Sequence, residues 1–180
     1  MTSLCRVIDS PVGPLRLHAD RSGRLCGVDI GMSRADLEVE PEGASPTDNA
    51  PGHVVRRTLD DTARQLHEYF AGARQSFDVE LSMLGSPFQK QVWAELLTIP
   101  FGTTVSYGQL AARIGRSGAA RAVGHANAHN PIAVIVPCHR VVGSSGQLTG
   151  YGGGLDAKRH LLDLERRGSP LKTTMETSHV

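Results

Sequence analysis

The chain has 180 residues, of which 39% are hydrophobic and 21% charged, with a formal net charge of +1. That length suits one large domain or two small ones with a real core, and no apolar run approaches the ~20 residues of a membrane span. The N-terminus lacks a basic segment followed by an apolar core, and Cys5, Cys26 and Cys138 are too few and too scattered for a disulfide framework, so a cytoplasmic, reducing setting is expected.

The charge is unevenly spread. Residues 1–84 carry nine Arg against thirteen Asp or Glu, whereas residues 85–180 carry ten Lys or Arg against five acids. No Asp or Glu occurs from Leu96 to Leu155, a stretch that holds Arg113, Arg116, Arg121 and Arg140. Such a stretch suits a surface kept clear for a polyanion. It also suits a buried stretch that needs few charges of either sign.

Residues 4–30 alternate apolar and polar in three short runs, separated by Ser10-Pro11-Val12-Gly13 and Asp20-Arg21-Ser22-Gly23. Three antiparallel strands are the natural reading. Residues 33–52 are acidic and rich in Pro, Gly, Ser and Ala, which predicts a long exposed loop. Residues 54–71 place Val55, Leu59, Ala63, Leu66 and Phe70 near helical spacing, and 77–81 read as a further strand. These elements make an N-terminal α/β domain over 1–82.

A second domain is expected over 85–168, followed by a disordered tail at 169–180. Ser86 can cap a helix that starts at Pro87 and runs to Pro100. Ser106 can cap a short helix over 107–114, and after the Arg116-Ser117-Gly118 turn a third helix covers 119–129. Two helices joined by a short Gly-containing turn match the helix-turn-helix pattern. The third helix is nearly bare, with Ala119, Ala120, Ala122, Gly124, Ala126 and Ala128 around a single fixed charge, Arg121. Small side chains permit close approach to another helix or to a nucleic-acid backbone. Arg121 is accordingly either a group that reaches into a duplex or a surface ion pair.

The chemistry is concentrated after Asn130. An apolar run, Pro131-Ile132-Ala133-Val134-Ile135-Val136, reads as a buried strand or core segment ended by Pro137. Cys138, His139 and Arg140 follow directly, so a thiol lies beside two groups that can be cationic, the setting in which it can lose its proton. A buried structural cysteine is the bland alternative. A working His needs an orienting acceptor. Glu165 is the best carboxylate, on the apolar face of a helix over 155–167 together with Leu161 and Leu162. It could instead be an ordinary helix-margin Glu paired with Arg166 or Arg167. The run Gly150-Tyr151-Gly152-Gly153-Gly154 offers exposed backbone and room for a flat ligand, or is simply a flexible linker.

Pro137-Cys138-His139-Arg140-Val141-Val142, with Asn130-Pro131 before and Tyr151-Gly152-Gly153-Gly154-Leu155 after, resembles the methylated-DNA–protein-cysteine methyltransferase family, the O6-alkylguanine-DNA alkyltransferases. Ser106-Tyr107-Gly108, Ala120-Arg121-Ala122-Val123-Gly124 and Leu161-Leu162-Asp163-Leu164-Glu165 extend the likeness over residues 86–167. The first 80 residues match loosely, chiefly at 9–15. The resemblance implies an α/β fold: a small antiparallel sheet with a helix (RNase H-like), then a mainly helical, winged helix-turn-helix-like domain.

It also implies roles. Cys138 would accept the alkyl group from guanine O6, and less readily from O4-alkylthymine, with His139 deprotonating it through a water and Glu165 orienting the imidazole. Asn130 would brace the turn. Tyr107 would press on the phosphate and assist the leaving O6. Arg121 would fill the gap left by the flipped nucleotide, with Ala120 and Gly124 against the DNA, and Val141, Tyr151, Gly152 and Gly153 would line the guanine pocket. The partner would be double-stranded DNA bound through its minor groove by a monomer, with cooperative assembly open. No cofactor is implied. Some relatives carry zinc in the first domain, but Cys5, His18 and Cys26 lack a four-ligand spacing, so no metal is expected. Two alternatives compete: a non-catalytic lesion-binding relative, which would lack the cysteine, and a cysteine hydrolase, whose Cys and His normally lie far apart in sequence.

Overall fold

The computed structural model describes residues 4–31 and 52–168. The tail expected at 169–180 and nearly all of the loop expected at 33–52 lie outside them. Strands β1 (Leu4–Ile8), β2 (Leu15–Ala19) and β3 (Leu25–Ile30) form an antiparallel sheet in sequence order. Alternation decides the buried side: Leu15, Leu17 and Ala19 are buried, while Arg16 and His18 between them are only partly covered. Helix α1 (His53–Phe70) closes that side with Val55, Leu59, Ala63, Leu66 and Tyr69. The turn before β3 needs glycine twice over. Gly23 has φ +80°, and a Cβ there would come within 2.3 Å of Val54 Cγ1.

The strand expected at 77–81 contracts to one bridge. Leu81 pairs with Leu25, whose N–H donates to Glu80 O while Ser82 N–H donates to Leu25 O. Further back, Gln65 of α1 satisfies both backbone groups of Asp78, at 2.9 and 2.8 Å. A side-chain amide has taken the place of a strand partner.

The second half is mainly helical, with α2 (Pro87–Leu96), α3 (Tyr107–Arg113), α4 (Ala120–Ala128) and α5 (Gly154–Gly168). A short parallel pair, β4 (Val105–Ser106) with β5 (Val141–Val142), accompanies them. Ser86 and Ser106 are N-caps as expected. Each accepts from the backbone N–H three residues on, and Gln89 or Gln109 reaches back to complete a capping box. Between α3 and α4 the chain turns through Gly115 and Gly118, both at positive φ, which gives the helix-turn-helix connection. Trp93 is buried and its Nε1–H donates to Ala126 O at 2.9 Å, fastening α2 to α4. The whole is an α/β chain, a small antiparallel-sheet domain followed by a mainly helical one.

The apolar run before Cys138 is not the expected strand. It curls, with Val136 N–H donating to Ile132 O at 3.0 Å and Val134 at φ 70°, a conformation rare for a β-branched residue. Prolines at both ends remove ladder donors. Asn130 completes the turn by donating from Nδ2 to Val136 O at 2.8 Å and accepting Ile132 N–H at 3.0 Å.

Candidate active site

Cys138 opens a single 3-10 turn, Cys138–Arg140, and is 5% exposed. Burial raises the thiol above its ordinary pKa, while Asn130 and the charge of Lys158 pull weakly the other way. The two neighbours do not activate it as adjacent cations. Arg140 turns away into an ion pair, and His139 is held neutral because its own burial lowers its pKa, against the pull of Glu165. The resting sulfur is a protonated thiol.

Glu165 collects the surrounding donors. It lies on the buried face of α5 with Ala157, Lys158 and Leu161. Its Oε1 receives His139 Nε2–H at 2.8 Å, Tyr69 O–H at 2.7 Å and Arg140 Nη2–H at 2.8 Å. Oε2 receives Arg140 Nε–H at 2.9 Å and Gly102 N–H at 3.0 Å. Burial alone would raise this carboxyl, but the bonds from His139 and Arg140, with the guanidinium charge, bring it down to about 2. Arg140 also donates from Nη1 to Ile99 O at 2.6 Å, so each of its three nitrogens makes a hydrogen bond. Neither Arg166 nor Arg167 is the partner of Glu165; Arg166 pairs with Asp163 at 3.1 Å. Because an ionised carboxylate only accepts, His139 Nε2 must carry the proton. His139 Nδ1 is then a lone pair, buried and without a partner among the described residues.

Beside the sulfur lies a cavity of about 430 Å³ lined by Cys138, Asn130, Tyr151, Gly152 and Gly153, with Asn127 and Val28–Ile30 completing its walls. A second hollow, of about 770 Å³, shares Ala128, Gly150, Tyr151 and Gly152 with it and is also lined by Tyr107, Ala120, Arg121 and Gly124. Arg121 is exposed and pairs with no carboxylate among the described residues. The Tyr107 ring packs over Gly124, and its hydroxyl accepts Thr149 Oγ1–H at 3.0 Å. Thus the residues predicted to line the pocket or to meet DNA fall into two adjoining groups. Val141 joins neither. It is fully buried and its carbonyl accepts from Lys158 Nζ at 2.6 Å, so it does not line the cavity as expected.

Three further residues were not singled out from the sequence. Lys158 is 0% exposed and also donates to Thr149 O at 2.9 Å, tying β5 to the glycine-rich loop. It precedes Glu165 by seven residues on the same helix face, so the periodicity that exposed Glu165 also pointed to it. Asn127 is buried in the alanine-rich helix and donates to Cys138 O at 3.3 Å. Tyr69, rather than Phe70, is the fully buried aromatic of α1.

Residues 87–167 match the family model described as 6-O-methylguanine DNA methyltransferase, DNA binding domain, and residues 3–83 match its ribonuclease-like domain. The chain belongs to the methylated-DNA–protein-cysteine methyltransferase family. A methyltransferase of this family from Mycolicibacterium paratuberculosis is 51% identical over 170 residues, covering 94% of this chain and 96% of its own. The crystal structure of Mycobacterium tuberculosis O6-methylguanine methyltransferase superposes with a TM-score of 0.76 at 46% identity, over 94% of this chain and 96% of that one. A structure of Mycobacterium tuberculosis OGT in complex with DNA gives the same score at 48% identity, over 93% and 95% of the two chains. The fold expected from the sequence is therefore the family's, and so is the enzyme class, a methylated-DNA–protein-cysteine methyltransferase of DNA repair. No helix among the described residues is long and apolar enough to cross a membrane.

Proposed function

We propose that this methyltransferase extrudes O6-alkylguanine from duplex DNA, and O4-alkylthymine less readily, and moves the alkyl group irreversibly onto Cys138. The observation that carries the reading is the buried His139–Glu165 couple beside a protonated thiol that opens on a cavity. With Glu165 fixing the proton on Nε2, His139 Nδ1 takes the Cys138 proton through a bridging water. The thiolate then attacks the alkyl carbon in line. A carbon–sulfur bond forms, the carbon–oxygen bond breaks, and its electron pair stays on the departing base, which takes up a proton from solvent by way of Tyr107 and leaves as guanine. The imidazolium formed in the first step is stabilised by the Glu165 carboxylate.

Extrusion is required because a stacked O6 substituent cannot reach a buried sulfur. Arg121, exposed in the first turn of α4, would fill the vacated stack, with Ala120 and Gly124 allowing the helix to lie in the minor groove. Tyr107 would bear on the flanking phosphate and on O6, and Tyr151, Gly152 and Gly153 would flank the flipped base. Asn130 keeps the turn that presents the sulfur. Nothing in this arrangement activates water against a thioether, so one monomer performs one turnover.

The test is incubation with excess O6-methylguanine duplex, followed by intact-protein and peptide mass measurement. Expected is a plateau at one methyl group per molecule, located on Cys138. Repeated turnover, or undiminished transfer by Cys138→Ala, would overturn the reading.

A further inference from the structure

One wall of the cavity beside Cys138 comes from the other domain. Strand β3 is tied by its backbone to the turn that delivers the sulfur: Val28 N–H donates to Pro131 O at 2.9 Å, and Ala133 N–H donates to Val28 O at 3.2 Å. Val28 thereby bridges to Ile132, which fixes the register between the sheet and the turn that ends at Cys138. Residues two apart on a strand point the same way, so Ile30 follows Val28 along this edge. Val28 is 2% exposed and spent on packing. Ile30 remains partly uncovered and lines the cavity with Cys138.

The opposite wall meets it closely. A Cβ built on Gly153 would fall 2.6 Å from Ile30 Cγ2 and 3.0 Å from Ile30 Cβ, so the glycine-rich loop sits directly on this side chain. The strand side of this contact cannot easily withdraw. Ile30 pairs in the ladder with Leu15, and its β-branched side chain is stiff about χ1. The polar residue next to it is also fixed, since Asp29 Oδ2 is held by His18 Nε2 at 2.8 Å. What Ile30 offers to the cavity is a rigid apolar surface. The part of an O6-alkylguanine that calls for such a surface is the alkyl group.

We infer that Ile30 of the N-terminal sheet, clamped against Gly153, limits the size of the O6 substituent that can be presented to Cys138. The inference rests on the reading that Cys138 is the alkyl acceptor. It assigns substrate size selection partly to a domain outside the one that carries the nucleophile.

The experiment compares alkylation of Cys138 in the full chain by two free bases, O6-methylguanine and O6-benzylguanine, followed by mass measurement over time. The readout is the ratio of the two rate constants, because general loss of fold or of loop order lowers both together. Ile30→Ala should raise the benzyl-to-methyl ratio about tenfold, the lower end of what one methylene of pocket space discriminates. Ile30→Phe should lower it by a similar factor. Ile30→Val, which removes one methyl group and keeps the branched stem, gives a smaller shift in the same direction as Ile30→Ala and guards against a variant that does not fold. A ratio that stays within about twofold of the parent in the folded variants would overturn the inference. A parent protein that takes no alkyl group onto Cys138 from either base or from an O6-methylguanine duplex would instead overturn the reading on which it rests, and the two failures are distinct.

Discussion

Cys138 is buried and protonated at rest, so under the proposed reading its rate depends on how much His139 is neutral and correctly protonated. Burial holds the imidazole below its ordinary pKa, while Glu165 pulls it upward. Transfer should therefore rise as pH increases through the His139 pKa and flatten below the ordinary value of about 6.5. Glu165→Gln removes the upward pull, so the midpoint of the rise should move to lower pH. A glutamine can also donate to Nε2, which places the proton on Nδ1 and removes the base. The plateau should then fall by about 10²-fold or more, the usual contribution of a positioned base. Single-turnover rates between acid and neutral pH check this. A variant that is merely unfolded would lose amplitude with the midpoint unmoved.

The same few residues show what a sequence reveals at this scale. Cys138, His139 and Glu165 could be singled out because each breaks a local pattern: a thiol after an apolar run, an imidazole beside it, a carboxylate on an apolar helix face. Arg140 was misleading because adjacency does not reveal direction. On a strand it would have flanked the thiol; on a 3-10 turn it points at Glu165, 25 residues on. Such a fully buried ion pair must satisfy nearly every donor to offset its desolvation. Among the described residues, the five donors on Glu165 come from four sequence-distant residues, which no local pattern announces.

Among the elements, the helices were legible and the irregular segments were not. Ser86 with Gln89, and Ser106 with Gln109, are local capping signals that act within one turn of helix. The apolar run before Cys138 carried no comparable signal. Its composition suits a buried strand, but two prolines and the Asn130 side chain close it into a turn instead. Helix α4 is the exception in surface chemistry, with alanines and glycine around the single fixed charge of Arg121. Its bare surface is unusual in isolation, and it borders the 770 Å³ hollow beside the Cys138 cavity, where the proposed reading places DNA. If Arg121 acts on extrusion, Arg121→Ala should slow repair of a duplex lesion by at least tenfold. Reaction with free O6-alkylguanine should change less than twofold, because a free base needs no extrusion. Equal losses in parallel single-turnover assays would remove Arg121 from that role.

Across the whole molecule, the acid-free stretch from Leu96 to Leu155 is a compound of two causes. Part of it is buried and needs little charge, as Arg140 and the apolar turn illustrate. Part of it faces outward, and the four arginines divide accordingly. Arg140 is internal and Arg113 lies 3.8 Å from Glu95, whereas Arg116 and Arg121 are exposed and pair with no carboxylate among the described residues. The salt dependence of duplex affinity should reflect that division. Each phosphate neutralised contributes a slope of about −0.9 in a plot of log K against log salt. Arg116→Ala and Arg121→Ala should each make the slope shallower by about one, and Arg113→Ala should change it less, since its charge is already partly answered. Affinities measured by anisotropy on an unmodified duplex at several salt concentrations decide the matter. Parent-like slopes in both the Arg116 and Arg121 variants would move the DNA contact off this face, because any surface that binds phosphate must lose counterion release when its free cations are removed.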